Sequence, residues 1–536
     1  MGTGGFLSSK IRYGGVFLVF TLGAFIARST MWIAEKFGAT TMEAIVFHYQ
    51  HALVGTPPSY IKSFTFLTLD SLALGACALV LYWLLDTFIQ GGAKKLLWLC
   101  GCLGLLYSVT FFSARLDVVP YLLGTYTKNT FIQDNYVAPN PNEVVFPEKK
   151  RNIIVLSLES MEDTFSRKTL FESSLIPRLE AMQDANPHCA LYEGKNLNWT
   201  VASLTGFLFG LPLSTPTQNQ YKSADNTFLP GAVSLLELLE ENGYAILFML
   251  SGKAEFSGSK NIFTNHAPSA QVQGWEYFES QNIPVRGEWG MRDKDLYGQA
   301  KTALQELGQQ EKPFFMILQT LDTHSYAVSY GDYPKPYKDD RDSFVAADHM
   351  AFEFIEWLQQ QDFYDNTTVL IQGDHLYMRE KLGTVFLPAK RLIYNVFLNV
   401  PFKVIPAIAS QADFTLAPEG SQRPALSELD SQENKKQEDD SQSSDSLRRN
   451  QQGSTLARNE TSLREATMLD MGVSLLEAVG VNLPHGAFGL GRSIFSPEPT
   501  LVEQLGVEEL AKALSGQSEF YNSLFLTKTE GATPKQ

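Results

Sequence analysis

The stretch NIIVLSLES, residues 152–160, decides the fold of this 536-residue chain. It is a nearly continuous apolar run that ends in polar residues, which is typical of a strand buried on both faces of a parallel sheet. Three later runs share this design: YAILFML begins at Tyr244, FFMILQT at Phe314 and TTVLIQGDH at Thr367. Four such runs predict one sheet whose strands present polar residues at their carboxyl ends.

Helical patterns separate these runs. AVSLLELLEENG, residues 232–243, has apolar residues at helical spacing and ends on a glycine, as many helices do. DHMAFEFIEWLQQQ, residues 348–361, repeats the pattern. Strands that alternate with helices predict an α/β sandwich around a mostly parallel sheet. Ligands of such sheets bind beyond the carboxyl ends of the strands, so the functional site is expected there.

The beginning of the chain is strongly apolar and predicts a membrane anchor within residues 1–115. Three apolar stretches, at about 13–32, 64–85 and 96–112, are long enough to be considered as transmembrane helices. A cleaved signal peptide is the alternative for the first stretch, but that stretch lacks a clear small-x-small cleavage site and two further spans follow. We therefore expect an uncleaved bundle of about three transmembrane helices.

Basic residues set the expected orientation of this anchor. Lys10 and Arg12 precede the first span, and Lys94 and Lys95 lie between the second and the third. When both groups face the cytoplasm, as the positive-inside rule favours, everything after the third span lies outside it. The segment MEAIVFHYQHAL, residues 42–53, then also lies outside, either as a short interfacial helix or as an element packed between the spans.

The rest of the chain divides by composition. Residues 116–150 are predicted to be a linker, residues 151–409 the first part of the α/β domain and residues 466–536 its completion. Residues 410–465 are rich in Ser, Gln, Asp, Glu and Asn and contain no apolar run. Such a segment cannot bury enough apolar surface to offset its ordering entropy, so we expect a disordered insertion. A partner-binding tail is the alternative.

Composition also excludes some partners. A formal net charge of −15 argues against nucleic acid, because phosphate binding needs clustered Lys and Arg. Only Cys189 of the four cysteines lies outside the apolar stretches, and no Cys-x-x-Cys or Cys/His zinc spacing occurs. The sequence therefore gives no sign of a disulfide framework.

Three predicted strand ends carry groups that can bind a metal or a proton. Glu159 ends the first run, Asp322 and His324 follow the third, and Asp374 and His375 end the fourth. A single such residue is usually only a hydrogen-bonded or surface group. Because parallel strands meet at one edge, three ends can converge, and carboxylates with imidazole suit a divalent cation.

Thr200 is the candidate nucleophile. It lies in NWTVASLTGFLFGLPL, residues 198–213, just before a predicted apolar helix. The free N–H groups at a helix amino terminus stabilise an alkoxide or a phosphate. The alternative is that Thr200 only caps the helix. Ser203 and Thr205 compete as nucleophiles, but a turn or more inside the helix they have no free N–H groups beside them.

At these residues the chain resembles the alkaline phosphatase/sulfatase superfamily, in its lipoteichoic acid synthase branch. Within that branch it most resembles the bacterial phosphoglycerol transferases that modify membrane-derived periplasmic glucans. The order and spacing of several segments carry the resemblance: DNYVAPNPNEVVFPEKKRNIIVLSLESMEDT, WT-x-AS followed by GLPL, WGMRDKDLY, DNTTVLIQGDHLYM and GLGRSIFSPEPTLVE. It implies a sulfatase/alkaline-phosphatase-like sandwich. Two features depart from the pattern, since the insertion is longer and the spans are fewer than in many members.

The resemblance implies roles for individual residues. Glu159, Thr200, Asp374 and His375 would ligate one divalent metal, manganese or magnesium, with zinc also possible. Thr200 would be the nucleophile, and His324 would contact the substrate phosphate or assist proton transfer.

Four further residues are candidates for the pocket that binds the headgroup of the substrate. They are Lys253 and Phe256, in SGKAEFSG, and Trp289 and Arg292, in WGMRDKD.

The resemblance also implies the reaction. A transferase in the bacterial inner membrane, with its catalytic domain facing the periplasm, would move phosphoglycerol from phosphatidylglycerol to a glycan acceptor. Thr200 would carry the headgroup covalently, and diacylglycerol would be released. The signature Cys/Ser-x-Pro-x-Arg of sulfate-ester hydrolases is absent.

Two related activities remain open at this point. A phosphoethanolamine transferase shares the nucleophile and the class of donor, but such enzymes usually carry several disulfides and zinc, and a single Cys189 in the outer domain argues against it. A phosphodiester hydrolase would release the headgroup to water, and the sequence does not reveal the pocket for an acceptor.

Overall fold

The computed structural model describes residues 3–38, 40–50, 56–89, 92–140, 143–214, 227–285, 287, 289–324, 328, 330–378, 390–401 and 463–525. The predicted disordered insertion, residues 410–465, lies outside these described residues except for its last three positions. The described part of the chain comprises an amino-terminal group of helices and an α/β domain.

Six helices precede the α/β domain: α1 (Thr3–Phe37), α2 (Met42–Gln50), α3 (Pro58–Phe88), α4 (Ala93–Arg115), α5 (Val118–Tyr126) and α6 (Phe131–Asn135). Ile11–Phe37 within α1, together with α3 and α4, is long and apolar enough to cross a membrane, in agreement with the three predicted spans. The helix α1 packs against both α3 and α4. Polar side chains join the helices along their length, since Tyr13 donates a hydrogen bond to Asp86 at 2.7 Å and Trp32 donates one to Ser63 at 2.9 Å.

The α/β domain contains a six-stranded sheet in the order β4-β3-β5-β1-β6-β7. The strands of the chain are β1 (Asn152–Leu158), β2 (Ala190–Tyr192), β3 (Ala245–Leu250), β4 (Gln271–Gln273), β5 (Phe314–Gln319), β6 (Thr367–Gly373), β7 (Asn395–Leu398), β8 (Glu465–Thr467), β9 (Ala487–Phe488) and β10 (Gly491–Arg492). All pairings in the large sheet are parallel except that of β7 with β6. The four apolar runs are β1, β3, β5 and β6, so the predicted α/β sandwich around a mostly parallel sheet is confirmed.

Helices cover both faces of this sheet. They are α7 (Lys168–Phe171), α8 (Pro177–Ala185), α9 (Thr200–Phe209), α10 (Leu235–Glu241), α11 (Ser259–His266), α12 (Trp275–Ser280), α13 (Asp293–Gly308), α14 (Arg341–Gln359), α15 (Met468–Ala478), α16 (Leu501–Leu505), α17 (Val507–Ala513) and α18 (Glu519–Ser523). Alternate residues of β1 point to opposite faces. Ile153 and Val155 join one hydrophobic core, which includes α9, α10 and α15, and Ile154 and Leu156 join the other, which includes α8, α13 and α14.

The carboxyl-terminal part of the chain completes the first of these cores. The strand β8 pairs with β2, and α15 packs directly on α9. Gly472 permits this close approach, because a Cβ at position 472 would overlap the carbonyl oxygen of Phe207. The helix α9 is thereby packed tightly against α15. This packing supports Thr200, which is the first residue of α9.

Candidate active site

The registry of the central strands brings two acidic residues together. Leu158 at the end of β1 pairs with Gly373 at the end of β6, so the next residues, Glu159 and Asp374, lie side by side. His375 follows Asp374. One ligand atom from each of Glu159, Asp374 and His375 lies within 4.8 Å of the others, and all three side chains are buried. Two of the three predicted strand ends therefore converge at one point.

Hydrogen bonds hold the two carboxylates in place. The amides of Ser160 and His375 donate to one oxygen of Asp374 at 2.8 and 2.9 Å. The side-chain amide of Gln319 donates to its other oxygen at 3.1 Å. The hydroxyl of Ser160 donates to Glu159 at 2.8 Å. Ser160 occupies the left-handed backbone region, with φ of 55°, which turns its amide toward Asp374.

Burial and neighbouring charges shift the pKa values of two residues in the cluster of Glu159, Asp374 and His375. Burial and the neighbouring Asp374 raise the pKa of Glu159 to about 8. Burial lowers the pKa of His375, but the carboxylates of Asp374 and Glu159 outweigh it and raise that pKa to about 9. Two carboxylates and an imidazole that converge in a buried site form a donor set suited to a divalent cation. The residues present therefore fit the metal that the sequence predicts.

Thr200 lies beside this cluster. It is the first residue of α9, while Trp199 occupies the cap position, and no side chain caps the helix. The Oγ1 atom of Thr200 is 3.5 Å from the Oε2 atom of Glu159. The helix amino terminus thus faces the site, as predicted. The competing hydroxyl of Thr205 is buried and donates to the carbonyl oxygen of Val201 at 2.7 Å.

The third strand end behaves differently. Asp322 accepts hydrogen bonds from the backbone amide of Asp293 at 2.8 Å, from Arg292 at 3.1 Å and from the hydroxyl of Tyr330. It is not part of the cluster of possible metal ligands. His324, two residues further, lines a pocket that it shares with Thr200.

This pocket opens in front of the cluster. It is lined by Phe37, Thr40, Ala44, His48, Glu159, Asn198, Trp199, Thr200, Val201, Leu250, Gly252, Lys253, Phe256, Ser259, Trp289, Gln319, Thr320, Leu321, His324, His375 and Met378. Of the four predicted headgroup residues, Lys253, Phe256 and Trp289 line it. Arg292 is not among the described residues that do so, because its guanidinium pairs with Asp322.

Several lining residues carry polar atoms that face no protein partner. Three of these atoms are buried and have no hydrogen-bond partner among the residues that the structure describes: Nε1 of Trp199, Nε1 of Trp289 and Oε1 of Gln319. A buried donor or acceptor without a partner costs about 1–3 kcal/mol, which a bound polar ligand can recover. The walls of the pocket therefore offer hydrogen-bonding atoms to a polar ligand.

Sequence reasoning missed two groups of residues around the site. Glu162 and Glu193 accept hydrogen bonds from the amides of Tyr377 and Leu376, both at 2.9 Å, and Arg391 pairs with Glu162. They fix the loop that follows His375. No local signal identifies them, because Arg391 lies far along the chain from Glu162.

The second missed group comes from the membrane part. Phe37, Thr40, Ala44 and His48 line the pocket, although they precede the α/β domain by a hundred residues or more. The polar residues within MEAIVFHYQHAL were the available signal. The helix α2 packs against the α/β domain, a contact that neither expectation for this segment contained.

A family model described as Sulfatase matches residues 151–417. The chain carries a sulfatase-family domain. The match begins one residue before β1 and includes Glu159, Thr200, Asp374 and His375. The recognition of this superfamily from the sequence is therefore confirmed.

Relatives of the sulfatase-family domain carry names that bear on function. Phosphoglycerol transferase I from Xanthomonas axonopodis pv. citri is 26% identical over 280 residues, which are 49% of this chain and 40% of the relative. A protein in the alkaline phosphatase superfamily from Vibrio parahaemolyticus has a TM-score of 0.46 at 17% identity, over 70% of this chain and 79% of that one. The lipoteichoic acid synthase LtaP from Listeria monocytogenes has a TM-score of 0.42 at 15% identity, over 68% and 81%. The chain spans less than half the length of the curated relative.

Proposed function

We propose that this chain is a membrane-anchored transferase that moves phosphoglycerol from phosphatidylglycerol to an extracytoplasmic glycan. The observation that carries the proposal is the position of Thr200, at the start of α9 and 3.5 Å from Glu159 in the cluster of possible metal ligands. The curated relative named phosphoglycerol transferase I supports the choice of headgroup. Three helices that are long and apolar enough to cross a membrane support a site next to a lipid donor.

Glu159, Asp374 and His375, with Thr200, would hold one divalent cation. Manganese and magnesium are our first choices, and zinc also fits a site of carboxylates and imidazole. When bound, such a cation makes a hydroxyl more acidic and neutralises the charge of a phosphodiester. The remaining chemistry belongs to the side chains of the protein.

The first step forms a bond between Oγ1 of Thr200 and the phosphorus of phosphatidylglycerol. The bond between phosphorus and the diacylglycerol oxygen breaks, and the hydroxyl proton leaves toward Glu159, which accepts its hydrogen bond. His324, on the wall of the same pocket, is placed to give a proton to the departing diacylglycerol oxygen. The product is a glycerophosphoryl ester of Thr200.

The second step regenerates the enzyme. A hydroxyl group of the glycan attacks the phosphorus and gives its proton to His324, which lost one in the first step. The bond between phosphorus and Thr200 breaks, and the threonine oxygen takes back the proton held by Glu159. The positive-inside distribution of Lys10, Arg12, Lys94 and Lys95 supports a catalytic domain on the outer side of the inner membrane. Diacylglycerol remains in the bilayer, and the anchor keeps the local concentration of donor high.

The cysteines favour this headgroup over phosphoethanolamine. All four cysteines lie in described segments and none is bonded to another. Cys189 is buried in the α/β domain, whereas Cys77, Cys100 and Cys102 lie on α3 and α4, the second and third of the three long apolar helices. A domain of the phosphoethanolamine branch would be expected to carry several disulfides.

Mass spectrometry of Thr200 tests the proposal. The full-length protein in phosphatidylglycerol vesicles should accumulate a glycerophosphoryl group on the peptide that contains Thr200, and diacylglycerol should appear. Thr200→Ala should lower diacylglycerol release by at least about 10³-fold, because the nucleophile is lost.

Thr205→Ala is the matched control, since Thr205 lies in the same helix but bonds to Val201. It should keep most of the turnover. If Thr200→Ala releases diacylglycerol at nearly the wild-type rate, covalent transfer is wrong and direct attack by water, as in a hydrolase, replaces it.

A further inference from the structure

The connection between the first two spans, residues 37–60, contributes a wall to the catalytic pocket. Phe37, Thr40, Ala44 and His48 line the same pocket as Thr200. We call the described part of residues 37–60 the interspan segment. It contains the end of α1, the whole of α2 and the start of α3.

The interspan segment is built into the α/β domain. Ala44 and Phe47 are buried, Phe47 to 1% exposure, in the same hydrophobic core as Trp199 and Val201. The ring of Phe47 lies 6.2 Å from that of Trp199, the residue before the nucleophile. Burial of a phenylalanine removes a large apolar surface from water, which is favourable. This contact therefore holds α2 against the site.

The backbone of the segment also touches the loop that follows β6. Gly38 directly follows the last residue of α1 and has φ of +64°, and a Cβ there would overlap the carbonyl oxygen of Met378. Arg115 at the end of α4 donates to the carbonyl oxygen of Gly38 at 3.0 Å. Met378 is three residues after His375, so the end of the first span supports the loop that carries this residue.

His48 lies at one end of a wall of rings. Its centroid is 5.8 Å from Phe256, Phe256 is 5.8 Å from Trp289, and Trp289 is 5.5 Å from His324. Tyr60, at the start of α3, packs against Trp289 at 5.0 Å. The row of rings thus extends from His48, in the interspan segment, to His324, the residue expected to assist proton transfer.

The orientation of His48 is fixed. Its Nδ1 atom lies 2.7 Å from the carbonyl oxygen of Ala44, which holds the ring against rotation. Along the same wall, the indole Nε1 of Trp289 is buried and meets no hydrogen-bond acceptor in the described part of the chain. An imidazole and an indole N–H on one wall provide hydrogen bonds for a polar guest with hydroxyl or phosphate oxygens.

We propose that the interspan segment is a permanent wall of the active site and that His48 binds the headgroup of the donor lipid. The identity of that lipid rests on the proposed function. The contact is a hydrogen bond at Nε2 of His48, because Nδ1–H donates to Ala44. In the neutral ring Nε2 accepts from a glycerol hydroxyl, and in the protonated ring it donates to a phosphate oxygen. The sulfatase-family domain alone therefore lacks one side of its binding pocket.

The proposal predicts a loss of affinity without a loss of chemistry. In the full-length protein, His48→Ala should raise KM for phosphatidylglycerol about tenfold and leave kcat within a factor of about three, because the lost hydrogen bond lies outside the reacting atoms. His48→Gln should recover part of the affinity. Tyr49→Ala is the matched control, since Tyr49 follows on the same helix and is 85% exposed, and it should leave KM unchanged.

Binding of soluble probes identifies the part of the headgroup. Calorimetry with sn-glycerol 1-phosphate and with inorganic phosphate should show which of them His48→Ala weakens. Loss for glycerol phosphate alone supports a glycerol contact, and equal loss for both supports a phosphate contact. Unchanged binding of both probes, or a wild-type protein that binds neither, overturns the proposal. Failure of the proposed function would be seen separately, as a wild-type protein that binds the probe but does not consume phosphatidylglycerol.

Discussion

Two pairs of buried acids lie at the carboxyl edge of the same sheet, and they differ in the groups that bond to their carboxylates. Asp293 accepts hydrogen bonds from Ser251 and from the amides of Leu321 and Asp322, and Asp322 accepts one from the amide of Asp293 and pairs with Arg292. Each acid therefore bonds the backbone of the other's segment, which ties two loops together.

Glu159 and Asp374 form the other pair. Among the described residues, no Lys or Arg forms an ion pair with either, and His375 is the basic group between them, at 3.4 and 3.6 Å. His375 supplies one positive charge beside two buried carboxylates, and a buried charge that is not balanced is costly, so a divalent cation would stabilise such a pair. The first pair is bonded by backbone amides and Arg292, whereas the second lies in a cluster that could hold a metal.

The largest expected effect distinguishes the two pairs by metal content. Asp374→Asn should remove the bound metal and lower turnover by about 10³-fold, because a carboxylate ligand is lost. Asp322→Asn makes the same chemical change at the neighbouring strand end and should keep full metal content. Elemental analysis of the purified proteins measures both. Full occupancy in Asp374→Asn would remove Asp374 from the set of ligands.

The next effect concerns stability. Asp293→Asn should lower the free energy of unfolding by about 2 kcal/mol, because an amide nitrogen would face backbone donors that now bond to a carboxylate. Metal content should not change. Chemical denaturation checks the prediction, with the exposed Asp295→Asn of the same helix as control. An Asp293→Asn variant as stable as the wild type would show that the loops do not need this pair.

The smallest effect is the dependence of metal affinity on pH. Without metal, the pKa of Glu159 is raised to about 8 and that of His375 to about 9, so both bind protons at neutral pH. A metal binds their deprotonated forms and must expel those protons. Affinity should therefore rise with pH toward 9, and should fall below about pH 8 by about tenfold per pH unit for each expelled proton.

Calorimetry in buffers of different ionisation enthalpy counts these protons. Asp322→Asn should give the same count as the wild type, since Asp322 is outside the cluster. Metal binding that releases no proton at pH 7 would contradict the raised pKa values of Glu159 and His375.

The sequence predicted the convergence of Glu159, Asp374 and His375 at one edge of the sheet, although the same pattern also included Asp322, which lies outside the cluster. Glu159, Asp374 and His375 each end an apolar run, and parallel strands bring such ends to one edge. Thr200 was identifiable for a similar reason, as the start of an apolar helix. The strands β4 and β7 were not identified, because β4 has only three residues and β7 pairs in the opposite direction.

Only one residue of the pair Asp293 and Asp322 was identified from the sequence. Asp322 ends a run, but its partner Asp293 is the first residue of α13, and no periodicity connects the two. The contribution of His48 was not predicted either, because the docking of the spans onto the α/β domain depends on tertiary shape. Patterns along the chain predict which side chains lie at each strand end. Contacts between distant segments decide which groups bond to those side chains.

The contact between Gly38 and Met378 has a kinetic consequence. On the proposed function, in which the first span crosses the bilayer, this contact holds the pocket at the membrane surface, so the site and its donor lipid lie in one two-dimensional fluid. On that function, encounter follows lateral diffusion, and the rate depends on the mole fraction of donor in the membrane surface rather than on bulk concentration. Dilution with an inert lipid would slow the enzyme even when the total amount of donor stays constant.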